Sequence, residues 1–205
     1  MQEAVALELD GVEKRFGQVD VLRGASMTVR PGEVVGLVGE NGAGKTTILR
    51  IIVGLLRPDA GSVRFSGSFG YCPQEPLLYD GLTFEQNVAY FAAAYGLSLA
   101  EGALRGVQLM ERLNCRQFGG RPVGQLSGGT RQKLNLIISL LHDPHLLLLD
   151  EPYQGLDYES YLAFWELAAE LANAGRSTLV VSHMVHDHAQ LSRVYRMADG
   201  KAIHD

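Results

Sequence analysis

The stretch that most restricts how this chain can fold is Gly39-Glu40-Asn41-Gly42-Ala43-Gly44-Lys45-Thr46, with Thr47 directly after it. It fits the template of a glycine, four residues and Gly-Lys-Thr, the P-loop or Walker A motif. Val34-Val35-Gly36-Leu37-Val38 before it reads as a buried strand, and Ile48, Leu49, Ile51, Ile52 and Leu55 after it recur at helical spacing. Strand, glycine loop and helix are the context such a motif needs. Successive N–H groups in a glycine-rich turn form a concavity for anions, and the helix that follows presents its positive dipole end to the same spot. Side chains at Gly42 and Gly44 would obstruct the approach of phosphate oxygens. Lys45 is suited to reach the β- and γ-phosphates, and the Thr46 hydroxyl to hold Mg²⁺. A nucleoside triphosphate site follows from this loop; the use made of the nucleotide does not.

The chain has 205 residues, enough for one domain with an inserted subdomain. Its hydrophobic share of 46% and charged share of 20% suit a full core. A net charge of −5 argues against a nucleic-acid-binding face. Cys72 and Cys115 stand far apart in no metal-ligand spacing, as two reduced thiols of a cytosolic protein would. No stretch approaches the ~18 consecutive apolar residues of a membrane span. Met1-Gln2-Glu3 lacks the basic start of a signal peptide. Any action at a membrane therefore needs a partner that supplies the membrane part.

Val5, Leu7 and Leu9 alternate as in a half-buried strand, Asp10-Gly11 reads as a turn, and Val12–Phe16 and Val21–Val29 as further strands. Three β segments are thus expected before the P-loop strand. Phe16 serves either as an ordinary strand aromatic or as a flat face for a base. Ser62–Phe65 and Phe69–Tyr71 read as short strands, and Pro73-Gln74-Glu75-Pro76 should carry the chain out of the sheet. From Leu77 to Gln125 the pattern turns helical. Thr83 with Gln86 makes a capping box for one helix ended by Gly96, and a second is expected from about Leu99 to Leu113.

Leu126-Ser127-Gly128-Gly129 opens an apolar helix from Leu134 to Leu141, with Ser127 as a cap. Two glycines in a first turn are entropically costly, and an anion-binding helix start gives them a purpose. His145 to Asp150 reads as a parallel strand buried on both faces that ends in Asp150-Glu151-Pro152. Acids at a strand's carboxyl end lie where open α/β sheets bind ligands. As a Walker B strand it places Asp150 near Mg²⁺ and Glu151 beside the γ-phosphate. Gly155-Leu156-Asp157 leads to a helix from about Tyr158 to Asn173, then a strand from Thr178 to Val181 ending at Ser182-His183. A last short helix, a strand around Val194 to Met197 and the turn Asp199-Gly200 finish the chain. His183, His186, Asp187 and His188 invite a metal site, but without matching ligands nearby in sequence the stronger reading has His183 alone facing the nucleotide.

Taken together, these motifs resemble the nucleotide-binding domain of an ABC transporter along essentially the whole chain. Gly39 to Thr46 is similar to its Walker A, Gln74 to its Q-loop glutamine, and Leu126-Ser127-Gly128-Gly129-Thr130 to its LSGGQ signature. Asp150-Glu151 resembles the Walker B end with its catalytic glutamate, Gly155-Leu156-Asp157 the D-loop and His183 the switch histidine. Phe16 falls where the family has a base-stacking aromatic, usually tyrosine, and Thr130 where the signature usually has glutamine. The stretch from Val63 to Gln74 is shorter than the family norm, which implies a trimmed β-subdomain.

The resemblance implies an α/β P-loop NTPase with a RecA-like core, an N-terminal antiparallel β-subdomain and an inserted α-helical subdomain. Residues 1–74 and 126–205 form the core with the β-subdomain, and residues 75–125 the helical insertion. It implies an ATPase using ATP and Mg²⁺, with Thr46, Gln74 and Asp150 at the metal, and Glu151, His183 and Gln74 in catalysis. Phe16, Gly39 to Thr47, Ser127, Gly128, Gly129 and Asp157 are its nucleotide contacts. Two such domains, copies or homologues, would pair head to tail beneath transmembrane permease subunits at the inner face of the cell membrane. Leu77 to Thr83 resembles exporters more than importers, and should expose an apolar patch at Leu77, Leu78 and Tyr79. The alternative is a soluble ABC ATPase acting on the ribosome or nucleic acid. A P-loop kinase or GTPase leaves the signature and His183 unexplained.

Overall fold

The computed structural model describes residues 5–183 and 188–204. Two sheets organise them. A three-stranded antiparallel sheet has the order β2-β1-β4, from Leu7–Phe16 (β1), Val19–Val29 (β2) and Ala60–Phe65 (β4). A six-stranded sheet has the order β5-β6-β7-β3-β8-β9. Its strands are Val34–Val38 (β3), Phe69–Cys72 (β5), Leu146–Asp150 (β6), Ser177–Ser182 (β7), Arg193–Ala198 (β8) and Lys201–His204 (β9). All neighbours in it are parallel except β8 and β9.

Every residue of β3, β6 and β7 is buried, as expected of central parallel strands covered on both faces. Alternate leucines of β6 enter different cores. Leu146 and Leu148 join β1, β2 and the P-loop helix α1 (Lys45–Ile52), while Leu147 and Leu149 join the remaining helices. Those helices are Phe84–Ala94 (α2), Leu99–Arg112 (α3), Gly128–Leu140 (α4) and Tyr158–Asn173 (α5). Phe84, Val88, Met110 and Val123 pack into one cluster with Leu134 and Ile137, so the helical stretch is anchored on α4. Gly70 makes the close approach of β5 to α4 possible, since a Cβ there would overlap the Ser139 carbonyl.

Thr83 and Gln86 form the expected capping box, and Ser98 with Glu101 forms a second that starts α3. Two chain-end readings need correction. The segments around Asp10-Gly11 are not separated by a turn: β1 runs through them with a bulge, Gly11 adopting φ 58° while its N–H donates to Ser26 Oγ at 2.9 Å. Nor does the chain finish at Asp199-Gly200. With φ 49° and 76° these two residues make the tight turn into β9. Between β7 and β8 the described part holds a short 3₁₀ turn, His188–Gln190.

Gly70→Ala is expected to destabilise the fold by about 3 kcal/mol through overpacking. Thr83→Ala, losing one cap, should cost about 1 kcal/mol. Urea titration of both variants checks the order.

Candidate nucleotide site

Because β5, β6, β7 and β3 run parallel, their carboxyl ends share one edge. Register places Val38 beside Ser182, Asp150 beside Val181, and Cys72 beside Leu149. The segments that leave those strands therefore converge, and they carry Gly39, His183, Glu151 and Gln74. A cavity of about 480 Å³ at this edge is lined by Phe16, Asn41, Gly42, Gly44, Lys45, Thr46, Thr47, Gln74, Asp150, Glu151 and His183. Val21 and Arg50 line it too. Arg50 lies four residues beyond Thr46, one helical turn along α1, and that spacing would have identified it from sequence.

The loop is built to leave N–H groups available. Helices α2, α3, α4 and α5 start with a side-chain cap from Thr83, Ser98, Ser127 and Asp157; α1 has none, its N-cap being Gly44 at φ 98°. No acidic residue stands in its first turn, which suits a negative ligand at the positive helix end. The two glycines differ in purpose. Gly42 faces open space, whereas a Cβ at Gly44 would come within 2.9 Å of Leu22 on β2. Gly44 is thus held by backbone conformation and by packing, rather than by phosphate clearance alone. Gly39 likewise lies against Met197 of β8, 3.0 Å from a would-be Cβ.

Lys45 is buried, and its ammonium donates to the carbonyls of Gly39 at 2.6 Å and Glu40 at 2.9 Å. Burial lowers its pKa, against the opposing fields of Glu151 and Asp150. Asp150 and Glu151 are buried in turn, and desolvation raises both carboxyls above their usual range. The Thr46 hydroxyl beside Asp150 favours its ionised form and offsets part of that rise. Glu151 holds φ 50°, a strained value for a side chain of its size, fixed by its N–H donating to Val181 O at 2.9 Å. Ser182 Oγ donates to Glu151 Oε2 at 3.3 Å, and His183 Nε2 stands 3.4 Å from Oε1 without hydrogen-bond geometry. Phe16 ends β1 and is 45% exposed.

A hard cation fits this donor set. Asp150 Oδ2 and Glu151 Oε1 are buried without hydrogen-bond partners, and the Thr46 hydroxyl adjoins Asp150. Oxygen ligands of this kind suit Mg²⁺. Of the histidine cluster read from the sequence, His186, Asp187 and the His188 side chain lie outside the described part of the structure. Among the described residues no group of three His, Cys, Asp or Glu is placed to hold a metal.

Ser127, Gly128, Gly129 and Asp157 do not line the cavity. They form a second cluster. Asp157 accepts from Ser160 N–H at 2.9 Å and pairs with buried Lys133 of α4 at 2.9 Å, contacts that depress its pKa strongly. A Cβ on Gly129 would collide with the Gly155 carbonyl, a packing reason for this glycine that its sequence position did not show. Gly128 faces open space. Lys133 belongs with this cluster and was not singled out from sequence; only the tertiary approach of α4 to α5 pairs it.

A family model described as ABC transporter matches residues 22–154, more than half the chain. The chain belongs to that family and is an ABC ATPase cassette, with a nucleotide site. Among curated relatives, Nod factor export ATP-binding protein I of Paraburkholderia xenovorans is 34% identical over 99% of this chain and 71% of its own length. Doxorubicin resistance ATP-binding protein DrrA of Mycobacterium tuberculosis is 36% identical over 92% and 61%. ABC transporter G family member 20 of Dictyostelium discoideum is 32% identical over 97% of this chain, which spans only 29% of that protein. A solved ATP-binding subunit of an ABC transporter superposes at TM-score 0.90, 29% identical, covering 96% of this chain and 88% of its own. A dimeric ATP-binding cassette bound to ADP and Pi shares the fold at TM-score 0.87 and 24% identity, covering 96% of both chains. No helix among the described residues is long and apolar enough to cross a membrane.

Both raised carboxyls cost stability once ionised. The penalty is absent below the unfolded carboxylate pKa of about 4 and develops as pH rises through the folded values. Asp150→Asn should therefore raise Tm at pH 8 and leave it nearly unchanged at pH 4. Calorimetry without nucleotide or Mg²⁺ measures this.

Proposed function

We propose that this cassette hydrolyses ATP as the energy-supplying subunit of an ABC exporter, pairing head to tail with a second copy or a homologous subunit beneath permease subunits. The observation that carries the hydrolysis reading is the convergence of the P-loop, Gln74, Asp150, Glu151 and His183 on one cavity. Phe16 stacks on the adenine, and the N–H groups of Gly39 to Thr47, Glu40, Asn41 and Ala43 included, cradle the phosphates. Lys45 turns from its loop carbonyls to the β- and γ-phosphate oxygens. Mg²⁺, held by Thr46, Asp150 and Gln74, supplies charge neutralisation at those oxygens when bound.

Glu151, buried and raised, accepts a proton from the attacking water, and His183 beside it holds the carboxylate and contacts the γ-phosphate. Phosphoryl transfer depends chiefly on such positioning and charge stabilisation. Placing Ser127, Gly128, Gly129 and Asp157 outside the cavity supports a site completed by another chain. Residues 1–74 and 126–205 act as the core and residues 75–125 as the subdomain that meets the permease. Leu77 is 77% exposed there, beside the exposed, hydrogen-bonded Tyr79 and Tyr90, while Leu78 packs inward. Buried Asn87 clamps the loop by accepting from Tyr79 N–H at 2.9 Å and donating to Tyr79 O at 3.0 Å. The export reading draws on the names of the relatives, which lend the ribosome- or nucleic-acid-directed alternative no support. Location at the inner face of the membrane follows from the permease contact.

Glu151→Gln should keep ATP binding, lower hydrolysis by at least about 100-fold and accumulate an ATP-bound dimer. Lys45→Ala should weaken ATP binding at least tenfold. Normal turnover in the first variant or unchanged affinity in the second would remove those residue assignments. Pull-down from detergent-solubilised membranes should recover a hydrophobic polypeptide; ribosomes or DNA in its place would overturn the transport reading.

A further inference from the structure

Thr130 stands in the signature where the family usually has glutamine, and its surroundings give it a distinct task. Ser127 is exposed at the N-cap of α4, while Thr130 directly behind it is 7% exposed. The Thr130 N–H donates to Ser127 Oγ at 3.2 Å, and Thr130 Oγ1 lies 2.9 Å from the same oxygen. A serine hydroxyl has one proton and two acceptor sites. The backbone N–H fills one acceptor site. When the Thr130 hydroxyl donates as well, both are filled, and the Ser127 proton is the hydrogen-bonding capacity that remains, on the exposed side. In the reverse arrangement Ser127 gives its proton to Thr130 and offers only a lone pair outward, which a phosphate oxygen repels. A nearby anionic oxygen selects the first arrangement, because a charge-assisted bond is roughly twice as strong as a neutral one.

We propose that Thr130 is a positioning residue whose buried hydroxyl and N–H together hold Ser127 Oγ as an outward donor to a γ-phosphate oxygen of ATP bound on a second chain. This rests on the head-to-tail reading given above. Thr130 touches no substrate. It acts by filling the acceptor sites of Ser127 Oγ so that its proton is the one left to point outward.

The test uses the whole chain in a Glu151→Gln background, with ATP and Mg²⁺, reading the dimer by sedimentation. Thr130→Val removes the hydroxyl at nearly constant shape, Thr130→Ala removes it without bulk, and Thr130→Ser retains it. Valine and alanine should each raise the concentration for half-maximal dimer about tenfold, since two equivalent contacts weaken per dimer. Serine should restore assembly close to the parent. Should Ser127→Ala leave the dimer intact, the head-to-tail reading itself fails. Where Ser127→Ala weakens the dimer but the valine and alanine variants assemble like the parent, the positioning role alone is wrong. A serine variant as weak as valine would show that shape, not the hydroxyl, matters, and would overturn the inference too.

Discussion

The parallel pairing of β3, β7 and β6 is the interaction on which the rest of the molecule depends. These strands are buried throughout, and their side chains feed two separate cores. Polar chemistry is therefore displaced to where they end. The shared direction and register set the P-loop, Asp150-Glu151 and His183 at one edge. Burying the two acids there costs free energy, visible in their raised pKa values and unpartnered oxygens. The same cost makes the edge receptive to cations, and the fold itself supplies Lys45 and Arg50 there.

A second constraint acts at α4. Its start is tied to the segment before α5 by the Gly129–Gly155 approach and by the Lys133–Asp157 ion pair. Lys133 is buried while Asp157 is largely exposed, so this pair has one partner shielded from water. These two contacts set the spacing between the start of α4 and the segment that carries Asp157. For a site assembled from two chains, that spacing lets one docking event place both segments together.

Much of this was legible in the residues because the signals are local. The P-loop template, the Thr83 capping box, the four leucines of β6 and the span of α5 depend on neighbours within a few positions and lie where the sequence pattern placed them, whereas Leu55, at helical spacing, falls beyond the end of α1 at Ile52 and is exposed. The bulge at Gly11 was misread as a turn because glycine at positive φ serves both, and only pairing with β2 and β4 keeps the strand continuous. β9 was missed because it is short and gains its pairing from β8 rather than from a pattern of its own.

The sequence by itself determined the class of fold and the groups that line the candidate site, since a glycine loop, a buried strand with terminal acids and a capped glycine-rich helix each require particular residues at fixed spacing. Only the tertiary structure decided why Gly44 and Gly129 must lack side chains, and that Thr130 stands behind Ser127. These are contacts between elements, or atoms across a single turn, whose distances depend on how helices settle on the sheet. Spacing along a chain fixes which groups are present; packing fixes which of them face each other.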